Sequence, residues 1–111
     1  MAGSPKVTVV IPAYNAARYL AEAVESALNQ TYADREVLVV DDGSGDRTPF
    51  LLERYGNAIR VIRKPNGGAP SALNEGIRRA RGEWIAWLSA DDAFLPQKLE
   101  KQMAYAGAHP E

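Results

Sequence analysis

The chain has 111 residues, 46% hydrophobic and 24% charged, which fits a single domain with a real core. Its 13 basic and 14 acidic residues give a formal net charge of -1, so no basic surplus exists to neutralise a nucleic-acid polymer. The absence of cysteine excludes disulfides and thiolate metal sites, and no apolar run approaches the ~20 residues that span a bilayer.

Residues 1–5 read as a leader or disordered start. They carry no apolar signal core, so a cytoplasmic location is expected. Residues 6–11 are β-branched and apolar and read as a buried strand. Pro12 lacks the N–H that a ladder needs, so the strand is expected to stop there. Asn15 suits the N-cap of a first helix running to about Gln30, with Leu20, Val24, Ala27 and Leu28 on one face. Residues 35–40 read as a second buried strand ending in the turn cluster 41–46. Thr48-Pro49 is a cap followed by proline at the first helical position. Phe50, Leu51 and Leu52 supply the inner face of a short helix, and Gly56 ends it.

Residues 58–63 alternate and read as an edge strand with one wetter face. Residues 64–68 form a loop. Ala69, Leu73, Ile77 and Ala80 mark a third helix, closed by Gly82, with the Arg78, Arg79 and Arg81 cluster as a solvated face. Trp84-Ile85-Ala86-Trp87-Leu88 does not alternate. It reads as a central strand buried on both faces, with Trp84 and Trp87 in the core. Leu95-Pro96 opens a fourth helix, marked by Leu95, Leu99, Met103 and Ala106 and ended by Gly107 and Pro110. His109 reads as solvated.

The order βαβαβαβα predicts an α/β fold, a Rossmann-like open parallel sheet with helices on both faces. Right-handed crossovers favour the strand order 3-2-1-4. Ligands bind such sheets at the carboxyl ends of the strands, near the switch point. Three acidic or polar loops fall there: 12–15, 41–46 and 89–92.

Asp91 and Asp92 repel each other unless a positive charge lies near them. Hard oxygen ligands suit Mg²⁺ or Mn²⁺, completed by waters or phosphate oxygens. The alternative is an acidic pair that favours a helix N-terminus. Asp41 or Asp42 can accept from a nucleobase N–H or a ribose hydroxyl, or simply form an Asx turn. Pro12, Ala13 and Tyr14 frame a base in the first case and pack locally in the second. Gly68, with Asn66 and Gly67, offers backbone N–H groups to a diphosphate at a helix start, or is a plain loop.

Taken in order, Val9-Val10-Ile11-Pro12-Ala13-Tyr14-Asn15, then Val40-Asp41-Asp42-Gly43-Ser44-Gly45-Asp46-Arg47-Thr48, then Asn66-Gly67-Gly68 through Ile77, then Gly82-Glu83-Trp84-Ile85 through Asp92 resemble family 2 glycosyltransferases. The resemblance covers about residues 6–106. It implies a GT-A fold that binds a nucleoside-diphosphate sugar (UDP- or GDP-type) with Mn²⁺ or Mg²⁺ and transfers the sugar with inversion, in polysaccharide biosynthesis among other roles. It assigns Pro12, Ala13 and Tyr14 to the loop around the base, Asp41 to the base, and Asp91 and Asp92 to ribose and metal-diphosphate, with Asp92 ahead of Asp91 as metal ligand. Many members carry an acidic residue where Ser89 stands. Family catalytic domains are roughly twice this length, and no residue here matches their general base. Residues 6–111 are therefore expected to be the nucleotide-binding part of a truncated domain. The competing expectation is a non-catalytic module of this fold that self-associates through exposed surface. Phosphotransfer on an aspartate fits less well, because 12–15 lacks the Asp-x-Asp that haloacid-dehalogenase phosphatases carry after strand 1.

Overall fold

The computed structural model describes residues 5–108. Its order is β1 Val7–Ala13, α1 Leu20–Leu28, β2 Arg35–Asp41, α2 Thr48–Glu53, β3 Arg60–Arg63, α3 Ala69–Arg79, β4 Trp84–Trp87 and α4 Lys98–Ala108, with a short 3₁₀ turn at Gly56–Ala58. The four strands form one parallel sheet in the order β3-β2-β1-β4, as expected from the sequence. All four strands therefore deliver their following loops to one rim. The expected leader and His109 lie mostly outside the described residues.

β1 and β2 are central, and their side chains alternate between two apolar layers. Val7, Val9, Ile11, Val37 and Val39 pack under Leu20, Val24 and Ala27 of α1, Leu52 of α2 and Leu99 of α4. Val10, Leu38 and Val40 pack under Ala72 of α3. Gly76 lets α3 settle directly on the sheet, because a Cβ there would collide with Val10 Cγ1 and lie 3.2 Å from Val40 Cγ2.

Several boundaries and faces differ from the sequence reading. β1 runs through Pro12 to Ala13. Its pairing with β4 ends at Val10–Trp87, while pairing with β2 continues to Ala13–Asp41. The Val10 carbonyl faces β4, where it accepts Leu88 N–H, so two residues on the proline's missing N–H faces the side that β4 has already left. Asn15 does not cap α1. It adopts φ 49°, and the helix begins only at Leu20. α4 begins at Lys98, because Phe94, Leu95 and Pro96 are committed to hydrogen bonds with Ser26 of α1 and with Gln30 and Thr31 just beyond it. Phe50, Ile77 and Leu95 are exposed. α3 instead buries Ala72 and Gly76, small residues that permit close approach.

The largest correction concerns β4. It is an edge strand, and Trp84, Ile85 and Trp87 are exposed. Absence of alternation was a poor guide to burial here, since α3 packs on β1 and β2, and Ile85 and Trp87, on that face beside Thr8 and Val10, stay exposed.

At the amino end of the sheet, Glu36 ties three elements together. Thr8 Oγ1 donates to Glu36 Oε2 at 2.6 Å, Arg60 Nη1 donates to Oε1 at 2.9 Å, and Arg81 N–H donates to Oε2 at 2.7 Å. Gly82 N–H in turn donates to Thr8 Oγ1 at 2.8 Å, which fixes the entry to β4. Burial pushes the Glu36 carboxyl up, but the Thr8, Arg60 and Arg81 donors outweigh it and hold the group below its ordinary range. A depressed carboxylate contributes stability above its unfolded value, and that contribution is lost as pH falls through the folded one. Glu36→Ala is thus expected to cost about 1–3 kcal/mol in urea unfolding at pH 7. The wild-type advantage over the variant should shrink below about pH 4.3.

Candidate functional site

The first two rim loops are stitched to each other. Asn15 N–H donates to Ser44 Oγ at 3.0 Å, and Gly45 N–H donates back to Asn15 Oδ1 at 2.8 Å. Ala16 N–H donates to the buried Thr48 Oγ1 at 3.0 Å, and Ala17 N–H to Asp46 Oδ2 at 3.2 Å. Asp42 N–H reaches the Ala13 carbonyl at 2.8 Å. The loop after β1 therefore has little freedom relative to the loop after β2. Asp46 also accepts from Thr48 N–H at 2.9 Å. Burial pushes the Asp46 carboxyl up, and the Thr48 and Ala17 donors hold it below the usual range.

Asp41 and Asp42 are both buried but differently placed. Asp41 Oδ1 accepts Ser44 N–H at 3.0 Å. Its Oδ2 is buried with no hydrogen-bond partner, and Arg63 Nε lies 3.8 Å away. Arg63 also donates to the Ser44 carbonyl at 3.1 Å. An orphaned buried acceptor is uncommon and calls for a reason.

Asp42 is committed to the third rim loop. Its Oδ1 accepts Lys64 Nζ at 2.8 Å and Gly67 N–H at 3.0 Å, and its Oδ2 accepts Gly68 N–H at 2.9 Å and Asn66 Nδ2 at 3.2 Å. Gly43 makes this possible. It sits at φ 75°, and a Cβ there would lie 2.6 Å from Asn66 N. Burial pushes the Asp42 carboxyl up, and Lys64, Gly67 and Gly68 hold it below the usual range. Gly68, expected to offer its N–H to a diphosphate, spends it on Asp42 in this conformation.

The fourth loop carries Asp91 and Asp92, both exposed. It turns tightly, with Asp92 N–H on the Ser89 carbonyl at 3.0 Å. Ser89 Oγ donates to Asp91 Oδ1 at 2.8 Å, and Ala93 N–H donates to Asp92 Oδ1 at 2.8 Å. One oxygen of each carboxylate is thus left for other ligands. Downstream, α1 and the residues just after it grip the chain. Phe94 N–H donates to Ser26 Oγ at 3.0 Å, Gln30 Nε2 donates to the Leu95 carbonyl at 2.8 Å, and Leu99 N–H donates to Gln30 Oε1 at 3.0 Å. A cavity of about 600 Å³ lies against this loop, lined by Trp87, Ser89, Asp92, Phe94, Lys98 and Lys101 among others.

Among the described residues no group of three or more carboxylate or imidazole side chains could hold a metal. Two exposed carboxylates nevertheless fit a hard cation that keeps waters or takes phosphate oxygens as its other ligands. Pro12 and Ala13 sit opposite Val40 and Asp41 in the β1–β2 register, and Tyr14 is exposed beside them. The sequence reading missed Ser26, Gln30 and Lys64, and gave Ser44 and Thr48 only as part of a motif; all five hold the rim through hydrogen bonds. Thr48, expected as a cap, is instead the first residue of α2 behind Arg47, and its hydroxyl serves Ala16 N–H.

The sequence model described as glycosyl transferase family 2 matches residues 8–111. The chain belongs to that family. It is 49% identical over 100 residues to an uncharacterized glycosyltransferase of Rickettsia typhi, covering 90% of this chain and 31% of that protein. It is 44% identical over 99 residues to the hyaluronan synthase of Pasteurella multocida, covering 86% of this chain and 10% of that one. Among solved structures, S. aureus TarS 1-349 in complex with UDP superposes with a TM-score of 0.86 at 31% identity, over 94% of this chain and 32% of that one. The mannosyltransferase PcManGT of Pyrobaculum calidifontis, in complex with GDP-Man and Mn2+, gives 0.70 at 31% identity, over 82% and 29%. The expected GT-A fold is thereby established for this family 2 chain, which spans about a third of its Rickettsia relative. No helix among the described residues is long and apolar enough to cross a membrane.

Asp42→Ala removes the acceptor for Lys64, Gly67, Gly68 and Asn66 at once. It is expected to cost about 3 kcal/mol, as when one partner of a buried pair is lost, measured by urea unfolding at pH 7. The Asp42 contribution should also fade as pH falls below about 3.9, where the carboxyl begins to protonate in the unfolded chain.

Proposed function

We propose that this chain is the donor-binding part of an inverting glycosyltransferase domain, taking a nucleoside-diphosphate sugar of the UDP or GDP type with a divalent cation. The observation that carries this reading is that all four family-matched loops emerge on one rim of the sheet, the side where α/β sheets bind ligands. Neighbours in complex with UDP and with GDP-Man and Mn2+ support the donor class.

Each residue has a distinct task. Asp41 Oδ2, a buried acceptor without a donor, takes an N–H of the base, and Pro12, Ala13 and Tyr14 form the wall beside it. Asp42 sets the Gly67–Gly68 loop, so that the start of α3 faces the diphosphate. Asp91 meets the ribose and Asp92, with Asp91, holds Mn²⁺ or Mg²⁺, whose positive charge would screen the diphosphate and ease its departure. Ser89 orients Asp91 through its hydroxyl instead of adding a third carboxylate. Inversion requires a base for the acceptor hydroxyl's proton. None of these residues is placed for that, so residues 6–111 bind donor and transfer little on their own. The donor is a polyanion that does not cross a bilayer unaided, so the reaction lies on the side where the donor is made, which in this reading is the cytoplasmic side.

Titration calorimetry with UDP and with GDP, each with Mn²⁺, tests the reading. Binding of one nucleotide that weakens at least about tenfold, or 1.4 kcal/mol, in Asp92→Ala and on chelation is the expected result. Absence of binding, or binding indifferent to both changes, refutes it. A second reading, self-association, is favoured by one observation: the bare, apolar edge at β4.

A further inference from the structure

Residues 89–93 carry both exposed carboxylates, yet among the described residues none of them hydrogen-bonds to another element. Their bonds are internal: Asp92 N–H to the Ser89 carbonyl, Ser89 Oγ to Asp91, and Ala93 N–H to Asp92. Of the five, Ala90 alone is buried, in the layer that holds α1. The loop is therefore placed by what holds its two ends.

The near end is Leu88, whose N–H donates to the Val10 carbonyl at 3.0 Å. The far end runs alongside α1. Phe94 N–H meets Ser26 Oγ at 3.0 Å, the Leu95 carbonyl meets Gln30 Nε2 at 2.8 Å, and the Pro96 carbonyl meets Thr31 N–H at 2.9 Å. Two of these three anchors are side chains, and each is itself fixed. Ser26 Oγ donates to the Ala23 carbonyl at 2.8 Å, and Gln30 Nε2 donates also to the Ser26 carbonyl at 3.0 Å. Their platform is firm, because Leu20, Ala23, Val24 and Ala27 of α1 are fully buried on the sheet. The same helix follows the loop that carries Tyr14, whose neighbours Ala16 and Ala17 are pinned to Thr48 and Asp46. One helix thus sets the base side and the acidic loop relative to each other.

We propose that Ser26 and Gln30 are positioning residues for the cation: through Phe94, Leu95 and Leu99 they hold Asp91 and Asp92 where one ion can use both. This rests on the donor-and-cation reading above and adds two residues outside every loop that it names. Neither residue touches the ion. Their effect is to remove conformations from the loop before the ion arrives, which lowers the ordering cost of binding. Residues that orient metal ligands in this indirect way are commonly worth about 10–100-fold in metal affinity. A purely structural role would lower stability and leave that affinity alone.

The test is a titration of Mn²⁺ into the chain saturated with UDP or GDP, whichever binds, with free Mn²⁺ read by electron paramagnetic resonance. Ser26→Ala removes the acceptor for Phe94 N–H, and Gln30→Met keeps the side chain's bulk without its hydrogen bonds. Each should weaken Mn²⁺ about tenfold, with an unchanged circular dichroism spectrum and unchanged nucleotide affinity in chelator. Ser26→Thr, which keeps the hydroxyl, should bind Mn²⁺ as the wild type does. Amide hydrogen exchange at Phe94 should quicken in Ser26→Ala, while exchange at Val39 and Val40 in the central sheet holds. If the wild type binds no Mn²⁺ with either nucleotide, or Asp92→Ala binds it equally well, the donor-and-cation reading falls and the positioning role with it. If Asp92→Ala loses Mn²⁺ but Ser26→Ala and Gln30→Met retain it, the positioning role alone is overturned. A loss in Ser26→Ala that Ser26→Thr shares equally overturns the part assigned to the hydroxyl.

Discussion

The Asp42 carboxylate is the constraint on which the rim depends. It is 2% exposed, so it must find its hydrogen bonds within the protein. Four donors from residues 64–68 supply them. Because its own N–H is held by the Ala13 carbonyl, one residue joins the exits of β1 and β2 to the loop that starts α3. A rigid rim assembled this way holds its polar groups in place before any ligand arrives, which lowers the ordering cost of binding.

Much of the fold was legible because parallel sheets write themselves plainly. Four apolar runs separated by helical segments leave few topologies, and the order 3-2-1-4 followed. The acidic turns were legible as rim loops for the same reason. What failed were features set by partners distant in sequence. Pro12 continues β1 because β4 ends its pairing at Val10, which no local pattern could reveal. Asn15 has the composition of a cap, but its side chain is claimed by Gly45. Trp84 and Trp87 look like core residues, yet the strand order itself makes β4 an edge, and an edge strand's burial is decided by what lies beside it.

Family membership and physical placement support each other without being the same claim. The matched motifs coincide with the four loops at the carboxyl ends of the strands, and the supporting network of Ser44, Asp46, Thr48 and Lys64 explains why those loops keep their shape. The two acidic sites differ in kind. Asp41 and Asp42 are buried and structurally engaged, while Asp91 and Asp92 stand in solvent with one oxygen each uncommitted. A buried carboxylate suits discrimination of a base, and an exposed pair suits an ion that retains part of its water.

Gln30 carries a wider implication. A single buried carboxamide two residues past the end of α1 donates to the Leu95 carbonyl and accepts from Leu99 N–H, so it holds both sides of the turn into α4. The acidic loop is consequently moored at its far end by a residue that shares no sequence motif with it. The shape of the acidic loop is thus set partly by a residue more than sixty positions earlier in the chain.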